Sequence, residues 1–263
     1  MIDETDRPMT DHIDAGRMTI WEHIAELRSR LIKCTIAVAV GMAFGFWIYP
    51  RLTTFLLVPF CDLVGDENCQ LIVTDPIEGF AIRLKIAAYV GIAVAMPVLL
   101  WQIWRFVTPG LYPHEKRYAV PFLISAVTLF IFGAAVAYYT LNPALEFLIE
   151  IAGIDVEPLY TVDNYFTLIS YMMLAFGLGF EFPVLLVALQ IAGVLTPQKL
   201  LGWWRYATVI IVVFAAVATP SADPVSMMAL ALPMMVFYAL AVVIGYLIQK
   251  ARRTKRDDPA AVS

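Results

Sequence analysis

The sequence TIWEHIAELRSRL, residues 19–31, decides how the fold is interpreted, because a charged helical segment runs here directly into a long apolar stretch. Thr19 is followed three residues later by Glu22, which is the spacing of a capping box and predicts that a helix begins here. Apolar side chains then recur at helical spacing, while charged ones occupy another face. The pattern predicts an interfacial helix that lies along a membrane before the chain enters it.

Glu26 precedes Arg30 by one helical turn, and the pair allows two interpretations. In the first, the two side chains form a solvated salt bridge worth only ~0.3–0.5 kcal/mol. In the second, the Glu26 carboxylate is held at the membrane surface to bind a positively charged guest. Local chemistry by itself favours the salt bridge.

The composition is that of a membrane protein. Of the 263 residues, 61% are hydrophobic and 15% are charged, and the mean hydropathy is +0.77, which is more apolar than a globular core requires. Six hydrophobic runs predict an all-α integral membrane protein with six transmembrane helices, of which helices 5 and 6 are expected to be short. The runs are Leu31–Tyr49, Ile86–Ile103, Ala119–Leu141, Tyr165–Ile191, Tyr206–Ala218 and Val225–Ile248.

The basic residues predict the orientation. Of the 18 Lys and Arg residues, all but Arg51, Arg83 and Lys85 fall on one side of the predicted spans. The positive-inside rule then places both termini in the cytoplasm, and we expect a multi-pass protein of the cytoplasmic membrane. The expected parts are a disordered segment (1–18), the membrane domain (19–248) and a basic tail that contacts anionic lipid (249–263).

Two connections are expected on the side opposite the termini. Residues 50–78 should form a long loop that contains Cys61 and Cys69, which could form a disulfide in an oxidising compartment. The basic side chains at the start of the second helix should either snorkel outward or pair with Glu78. Residues 144–163 should contain a short amphipathic helix on the outer surface.

Glu181 is the most costly residue in the predicted spans, because an acid at this depth costs ~2.5–3.5 kcal/mol on insertion scales. It could be a protonated structural residue, but an ionisable group in lipid normally faces a cavity, a partner or a pathway, and we favour a functional role. Gly177 and Gly179 remove bulk nearby and should allow close backbone approach. Asp223, followed by Pro224, is most simply the N-cap of the last helix.

The sequence lacks the usual signatures of catalysis and cofactor binding. It contains no G-x-x-x-x-G-K-[ST] motif for nucleotides and no Cys and His cluster with metal-ligand spacing. All three histidines, His12, His23 and His114, fall outside the predicted spans, where they cannot serve an intramembrane hydrolase. We therefore predict a protein that is not an enzyme, needs no cofactor and does not bind nucleic acid.

Five segments, in order along residues 20–248, resemble the signatures of one family. EHIAELRSRL (22–31) is similar to H-[LI]-x-E-L-R-x-R-[LI], and FVTPGLYPHEKR (106–117) is similar to F-x-x-P-x-L-x-x-x-E-[RK]. FGLGFEFP (176–183) is similar to F-G-x-x-F-E-x-P, TPSADP (219–224) to T-P-x-x-D, and TDP (74–76) fits before the second helix. The chain thus resembles TatC, the multi-spanning core of the twin-arginine protein translocase.

The resemblance implies a receptor and translocase core that binds signal peptides carrying two adjacent arginines. By the matching positions, Glu26 and Glu115 would bind the arginine pair on the cytoplasmic face, with Phe106, Leu27 and Arg28 beside them. The planar guanidinium group matches carboxylate geometry, so two acids can discriminate Arg-Arg from Lys-Lys. With the resemblance, the guest-binding interpretation of Glu26 outweighs the salt bridge.

The resemblance also implies a glove-shaped bundle with a concave cavity in the membrane. Glu181 would face this cavity, where single-span TatA or TatB helices dock, and Pro59 and Asp223 match positions implicated in assembly, which includes self-association in the complex. Transport would be driven by the proton motive force. Two positions of the last helix depart from the family, because Met227 replaces a common Gln and Ala239 replaces a Glu that several members carry.

A proton-coupled transporter of small solutes is the alternative function, with Glu181 as the proton carrier. Two observations count against it, since the six predicted spans show no evident inverted repeat and only one deep acid is available.

Overall fold

The computed structural model describes residues 20–65, 69–107, 119–153, 160–219 and 223–256. The described residues form an all-α bundle, as the hydrophobic runs predict. The N-terminal segment 1–18, for which we expect disorder, lies outside them. The helices are α1 (Ile20–Val64), α2 (Glu78–Val107), α3 (Ala119–Ala152), α4 (Val162–Ile191), α5 (Pro197–Gly202), α6 (Trp204–Ala218) and α7 (Pro224–Arg256).

In the described part of the chain, five helices are long and apolar enough to cross a membrane, namely α1, α2, α3, α4 and α7. Helix α6 is apolar but has only 15 residues, which agrees with the predicted short fifth span. The expectation that the last helix is also short is wrong, because α7 has 33 residues. It continues from the apolar run into the Lys- and Arg-rich tail, whose residues are good helix formers.

Helices α1 and α3 are longer than the sequence predicts. Helix α1 runs without interruption for 45 residues, so the interfacial helix and the first part of the expected loop 50–78 belong to one helix with the first span. Helix α3 continues through Pro143 to Ala152, so residues 144–152 do not form a separate surface helix. Internal prolines do not end membrane helices when neighbouring helices satisfy the carbonyl groups that they leave free.

Glycine residues allow close contact at two helix pairs. A Cβ atom on Gly41 would lie 2.6 Å from the carbonyl oxygen of Gly91, so α1 and α2 meet backbone to backbone. A Cβ atom on Gly177 of α4 would lie 2.6 Å from the ring of Phe130 on α3. The sequence predicted a close approach of backbones at Gly177, whereas the structure places a side-chain ring of the neighbouring helix there.

Helix α4 lies at the centre of the bundle. It packs against α2, α3 and α7, and half of its most hydrophobic stretch is buried, compared with 11% for α1. The side chains of Phe176 and Phe180 are fully buried. Glu181 directly follows Phe180 and lies within the most buried of the five long helices that the structure describes.

A disulfide marks the end of the bundle at which α1 stops. It joins Cys61, in the last turn of α1, to Cys69 in the segment that follows, with the Cα atoms 4.9 Å apart. Cys34 is a free, partly buried cysteine within α1. Helices α2 and α4 both begin at this end, which we call the disulfide end.

Polar contacts tie α2 to α4 at the disulfide end. The Glu78 carboxylate accepts hydrogen bonds from the backbone N–H groups of Thr74 (2.6 Å) and Asp163 (3.0 Å). A short parallel β-bridge connects Ile72 to Thr161, so the segments that precede the two helices are also joined. Glu78 thus acts as an acceptor that collects backbone donors from both segments.

The two basic residues near the start of α2 do not pair with Glu78, contrary to one of the alternatives left open by the sequence. Lys85 forms an ion pair with Asp163, with 2.6 Å between Nζ and Oδ1. Arg83 donates a hydrogen bond to the backbone carbonyl of Phe46 on α1 at 3.2 Å. The oxygens of Glu78 are occupied by backbone donors, so the basic side chains find acceptors on other helices.

Candidate functional site: a membrane cavity beside Glu181

A cavity of about 400 Å³ lies beside the carboxyl-terminal half of α4. Its wall is formed by α2, α3, α4, α6 and α7 and is apolar except for one carboxyl group, that of Glu181. The lining residues are Leu100, Ile103, Phe122, Leu178, Gly179, Glu181, Phe182, Leu185, Ile210, Ile211, Phe214 and Met234.

The carboxyl group of Glu181 has no partner in the described part of the chain. Both of its oxygens are buried, and neither takes part in a hydrogen bond there. Ten residues separate Glu181 from the end of α4, which is about 15 Å of helix at 1.5 Å per residue. An acid left in this state is costly, because its oxygens have lost the hydrogen bonds of water without gaining others in the described residues.

The cavity opens toward the side of the bundle. Helix α6 packs mainly on α7 and makes little contact with α4, and the lining residues Leu178, Leu185 and Ile210 are 45%, 40% and 60% exposed. Gly179 allows the ring of Phe214 on α6 to pack closely against α4, because a Cβ atom there would lie 3.0 Å from that ring.

The residues predicted on α1 lie in its first turns. Arg30 donates a hydrogen bond from Nη2 to Oε1 of Glu26 and forms a salt bridge with it, so the local pairing suggested by the sequence is present. The Glu26 side chain nevertheless remains 31% exposed. The Glu26 carboxylate is therefore both paired with Arg30 and partly accessible to solvent.

The other residues of the predicted peptide-binding patch are brought together only in part. Leu27 is 51% exposed and Arg28 is also exposed. Arg28 nevertheless points away from Glu26, because each residue turns an α-helix by about 100° and the two residues are two positions apart. Glu115 and the Phe106 side chain lie outside the described residues.

Pro59 and Asp223 lie at other places in the fold and do not line the cavity. Pro59 is buried inside α1. Asp223 is 2% exposed, and its Oδ1 accepts a hydrogen bond from the backbone N–H of Ser226 at 2.7 Å. The predicted N-cap of the last helix is therefore confirmed.

Sequence reasoning missed the side chains that bond across helices. The ion pair between Lys85 and Asp163 joins residues that are distant in the chain, and no local spacing indicates it. Tyr138 and Tyr165 donate hydrogen bonds to backbone carbonyls of α1, and only the prolines of α1 give a signal that such donors are needed. Within the described ranges, no three His, Cys, Asp or Glu side chains group as a metal site would require.

The long apolar helices and the lateral cavity define a multi-pass membrane protein. Comparison with known proteins makes this class specific, because the family profile described as Sec-independent protein translocase protein (TatC) matches residues 22–233. The chain therefore belongs to the TatC family.

Similar proteins from distant organisms support this conclusion. The TatC protein of Frankia casuarinae is 36% identical over 259 residues, which cover 95% of this chain and 71% of the relative. The TatC protein of Aquifex aeolicus is 35% identical over 239 residues, or 90% of this chain and 98% of the relative. The chloroplastic TATC protein of Arabidopsis thaliana is 37% identical over 226 residues, or 86% and 65%. All three are named as protein translocase proteins, and this chain is accordingly a translocase subunit.

Solved structures agree with the fold. A crystal structure of the twin-arginine translocase receptor TatC is 36% identical, covers 86% of this chain and 99% of its own, and superposes with a TM-score of 0.72. A second crystal structure of that receptor, in DDM, gives a TM-score of 0.74 with 36% identity, covering 85% of this chain and 99% of its own. The predicted TatC-like bundle is therefore confirmed.

Proposed function

We propose that this chain is the signal-peptide receptor and core of a twin-arginine translocase. It binds the arginine pair through Glu26 and Glu115 and holds TatA- or TatB-type helices beside Glu181. With these partners it moves folded proteins across the cytoplasmic membrane at the expense of the proton motive force.

Recognition of the peptide requires an acid that a guest can reach. Glu26 meets this requirement, since its side chain is 31% exposed and already holds a guanidinium group, that of Arg30. A signal-peptide arginine offers the same planar fork, and with Glu115 as a second acid the site would accept two guanidinium groups at once. Lysine lacks the fork, so a Lys-Lys tag should bind much more weakly.

Partner docking is supported by the cavity beside Glu181. A buried carboxyl group without a partner in an otherwise apolar wall favours an apolar helix with one hydrogen-bonding or charged group at the same depth. This unpartnered carboxyl group is the one observation that supports the proposal independently of family membership. An acid with a merely structural role would form hydrogen bonds with other residues of the same helix bundle.

The orientation follows from the charges. Since 15 of the 18 basic residues fall on one side of the spans, we place both termini in the cytoplasm and the disulfide end at the outer face. The Cys61–Cys69 disulfide is consistent with this placement, because an outward loop of a bacterial membrane protein lies in an oxidising compartment.

Co-purification of the full chain with a precursor tests the proposal. The precursor should remain bound through purification in mild detergent, and the same precursor with its arginine pair changed to lysines should be lost. Equal recovery of both precursors would refute the receptor assignment. Transport into membrane vesicles should also stop when a protonophore is added with ATP still present, and continued transport would refute the proposed energy source.

Substitution of Glu150 is the matched control for substitution of Glu26. Glu150→Ala removes an exposed carboxylate from the last turn of α3 at the disulfide end. This variant should bind the precursor as the unmodified chain does, because Glu150 lies at the end of the bundle opposite Glu26.

A further inference from the structure

Helix α1 contains two internal prolines, Pro50 and Pro59. Proline has no N–H group, so the carbonyl four residues earlier loses its helical hydrogen-bond partner. In α1 these are the carbonyls of Phe46 and Phe55. An unsatisfied carbonyl is costly in lipid, and neighbouring helices can supply the missing donor.

Each of the two freed carbonyls receives a side-chain donor from another helix. Arg83 of α2 donates to the Phe46 carbonyl at 3.2 Å, and its guanidinium carbon lies 4.1 Å from the centre of the Phe46 ring. The Tyr138 hydroxyl of α3 donates to the Phe55 carbonyl at 3.1 Å, and the Tyr138 ring stacks on the Phe55 ring with centroids 4.6 Å apart. Each donor thus bonds the backbone and contacts the ring of the same residue.

The carbonyl of the residue that follows Phe55 also receives a side-chain donor. The Tyr165 hydroxyl of α4 donates to the Leu56 carbonyl at 2.6 Å. Tyr165 is 1% exposed, and its ring lies 5.1 Å from that of Phe60. Two hydroxyl groups from two different helices therefore hold the turn of α1 that precedes Pro59.

This arrangement is specific to α1 within the described residues. Pro97, Pro143, Pro183 and Pro233 also lie inside helices. Nowhere in the part of the chain that the structure describes does a side chain from another helix donate to the carbonyl four residues before any of these prolines. The donors on α1 are therefore not a general accompaniment of proline in this bundle.

We propose that Tyr138 and Tyr165 are positioning residues, whose hydroxyl groups fix residues 51–64 of α1, here called the Pro59 segment, against α3 and α4. The Pro59 segment differs from the rest of α1, because its Leu56 and Phe60 are 2% exposed whereas Ile36 and Val40 nearer the amino terminus are 58% and 66% exposed. If the proposed function holds, the two hydroxyls also orient Pro59 for assembly with partner subunits, and this last step rests on that function.

A double-mutant cycle on the full chain in lipid nanodiscs tests the proposal. Tyr138→Phe removes the donor, and Pro59→Ala supplies a backbone N–H for the Phe55 carbonyl. With Pro59 present, we expect Tyr138→Phe to lower the midpoint of thermal unfolding by roughly 2–4 °C. In the Pro59→Ala background the same change should have less than half of that effect. Equal effects in both backgrounds would overturn the proposal, because the hydroxyl would then not serve the carbonyl freed by Pro59.

Tyr139→Phe is the matched control. It removes a hydroxyl from the neighbouring residue of α3, which is 77% exposed, and it should leave the midpoint unchanged. Tyr165→Phe should lower the midpoint at least as much as Tyr138→Phe, because its hydrogen bond is shorter and fully buried.

A local measurement covers the case in which Pro59→Ala does not fold. The Cys61–Cys69 disulfide lies at the end of the Pro59 segment, so its rate of reduction by a mild thiol reports how firmly the segment is held. We expect reduction to be several-fold faster in Tyr138→Phe and unchanged in Tyr139→Phe. Equal rates in all three proteins would overturn the proposal. Neither measurement needs a cargo protein, so failure here is distinguishable from failure of the proposed function.

Discussion

Glu26 and Glu181 are both acids that the sequence singled out, but the structure gives them opposite surroundings. Glu26 is partly exposed and already paired with Arg30 from its own helix. Glu181 is enclosed by apolar side chains, and its buried oxygens have no partner among the described residues. Under the proposed function, a guest at Glu26 would have to compete with Arg30, whereas a partner helix at Glu181 would supply the hydrogen bond that this carboxyl group lacks. The proposal therefore assigns reversible exchange to the first site and assembly to the second.

Removing the acids of the peptide site should have the largest effect. Hydrogen bonds to charged groups contribute ~1.5–3 kcal/mol each, so we expect Glu26→Ala combined with Glu115→Ala to weaken binding of a twin-arginine peptide on the order of 100-fold or more. Photocrosslinking to a labelled peptide measures this, with membrane insertion checked by protease mapping. Undiminished crosslinking would remove the assignment of the site.

Removing the acid of the cavity should separate transport from binding. We expect Glu181→Ala to reduce transport by at least ~10-fold, equivalent to ~1.4 kcal/mol, because the partner helix loses its polar contact. Peptide crosslinking should stay within about twofold of the unmodified chain, and a twofold change in binding corresponds to less than ~0.5 kcal/mol. If transport by Glu181→Ala were normal, Glu181 would be a packing residue and the contrast with Glu26 would disappear.

Replacing the acid of the same cavity by an apolar residue should stabilise the protein. Glu181→Leu replaces an unpartnered buried acid by an apolar side chain, and we expect the free energy of unfolding of the isolated chain to rise by ~1–2 kcal/mol. Thermal unfolding in nanodiscs measures the change, and Glu150→Leu at an exposed position is the control. A loss of stability in Glu181→Leu would show that the carboxyl group is bonded in the isolated protein.

The salt bridge on α1 should give the smallest effect. Glu26→Gln removes an i,i+4 ion pair and should lower the free energy of unfolding by only ~0.3–0.5 kcal/mol. The difference should shrink in 1 M salt, where the Debye length is about 3 Å. A cost above ~2 kcal/mol would mean that Arg30 depends on Glu26 for its burial, and the exchange model for this site would then be wrong.

Much of the fold was predictable because the hydrophobic runs are long and bounded by charged or turn residues. The short α6 and the depth of Glu181 both follow from counting apolar residues. The N-cap at Asp223 was predictable from one residue type and its neighbour, because the capping bond to Ser226 is local in sequence.

Helix lengths and polar pairings were not predictable, since they depend on residues far away in the chain. The sequence predicted a loop over residues 50–78, but α1 continues through Pro50 and Pro59 to Val64, and Arg83 and Tyr138 supply the missing donors from other helices. Lys85 pairs with Asp163 rather than with nearby Glu78, because backbone N–H groups already occupy Glu78. A local sequence pattern indicates that a residue needs a hydrogen-bond donor or an ion-pair partner, but it does not indicate which distant residue supplies it.

The contacts at the disulfide end have a mechanical consequence. Glu78, the Lys85–Asp163 pair and the bridge at Ile72 fasten α2 to α4 there, whereas the cavity beside Glu181 lies toward the opposite end of α4. None of these contacts involves α6, which packs mainly on α7. Under the proposed function, a partner helix that binds beside Glu181 would therefore leave the contacts between α2 and α4 intact.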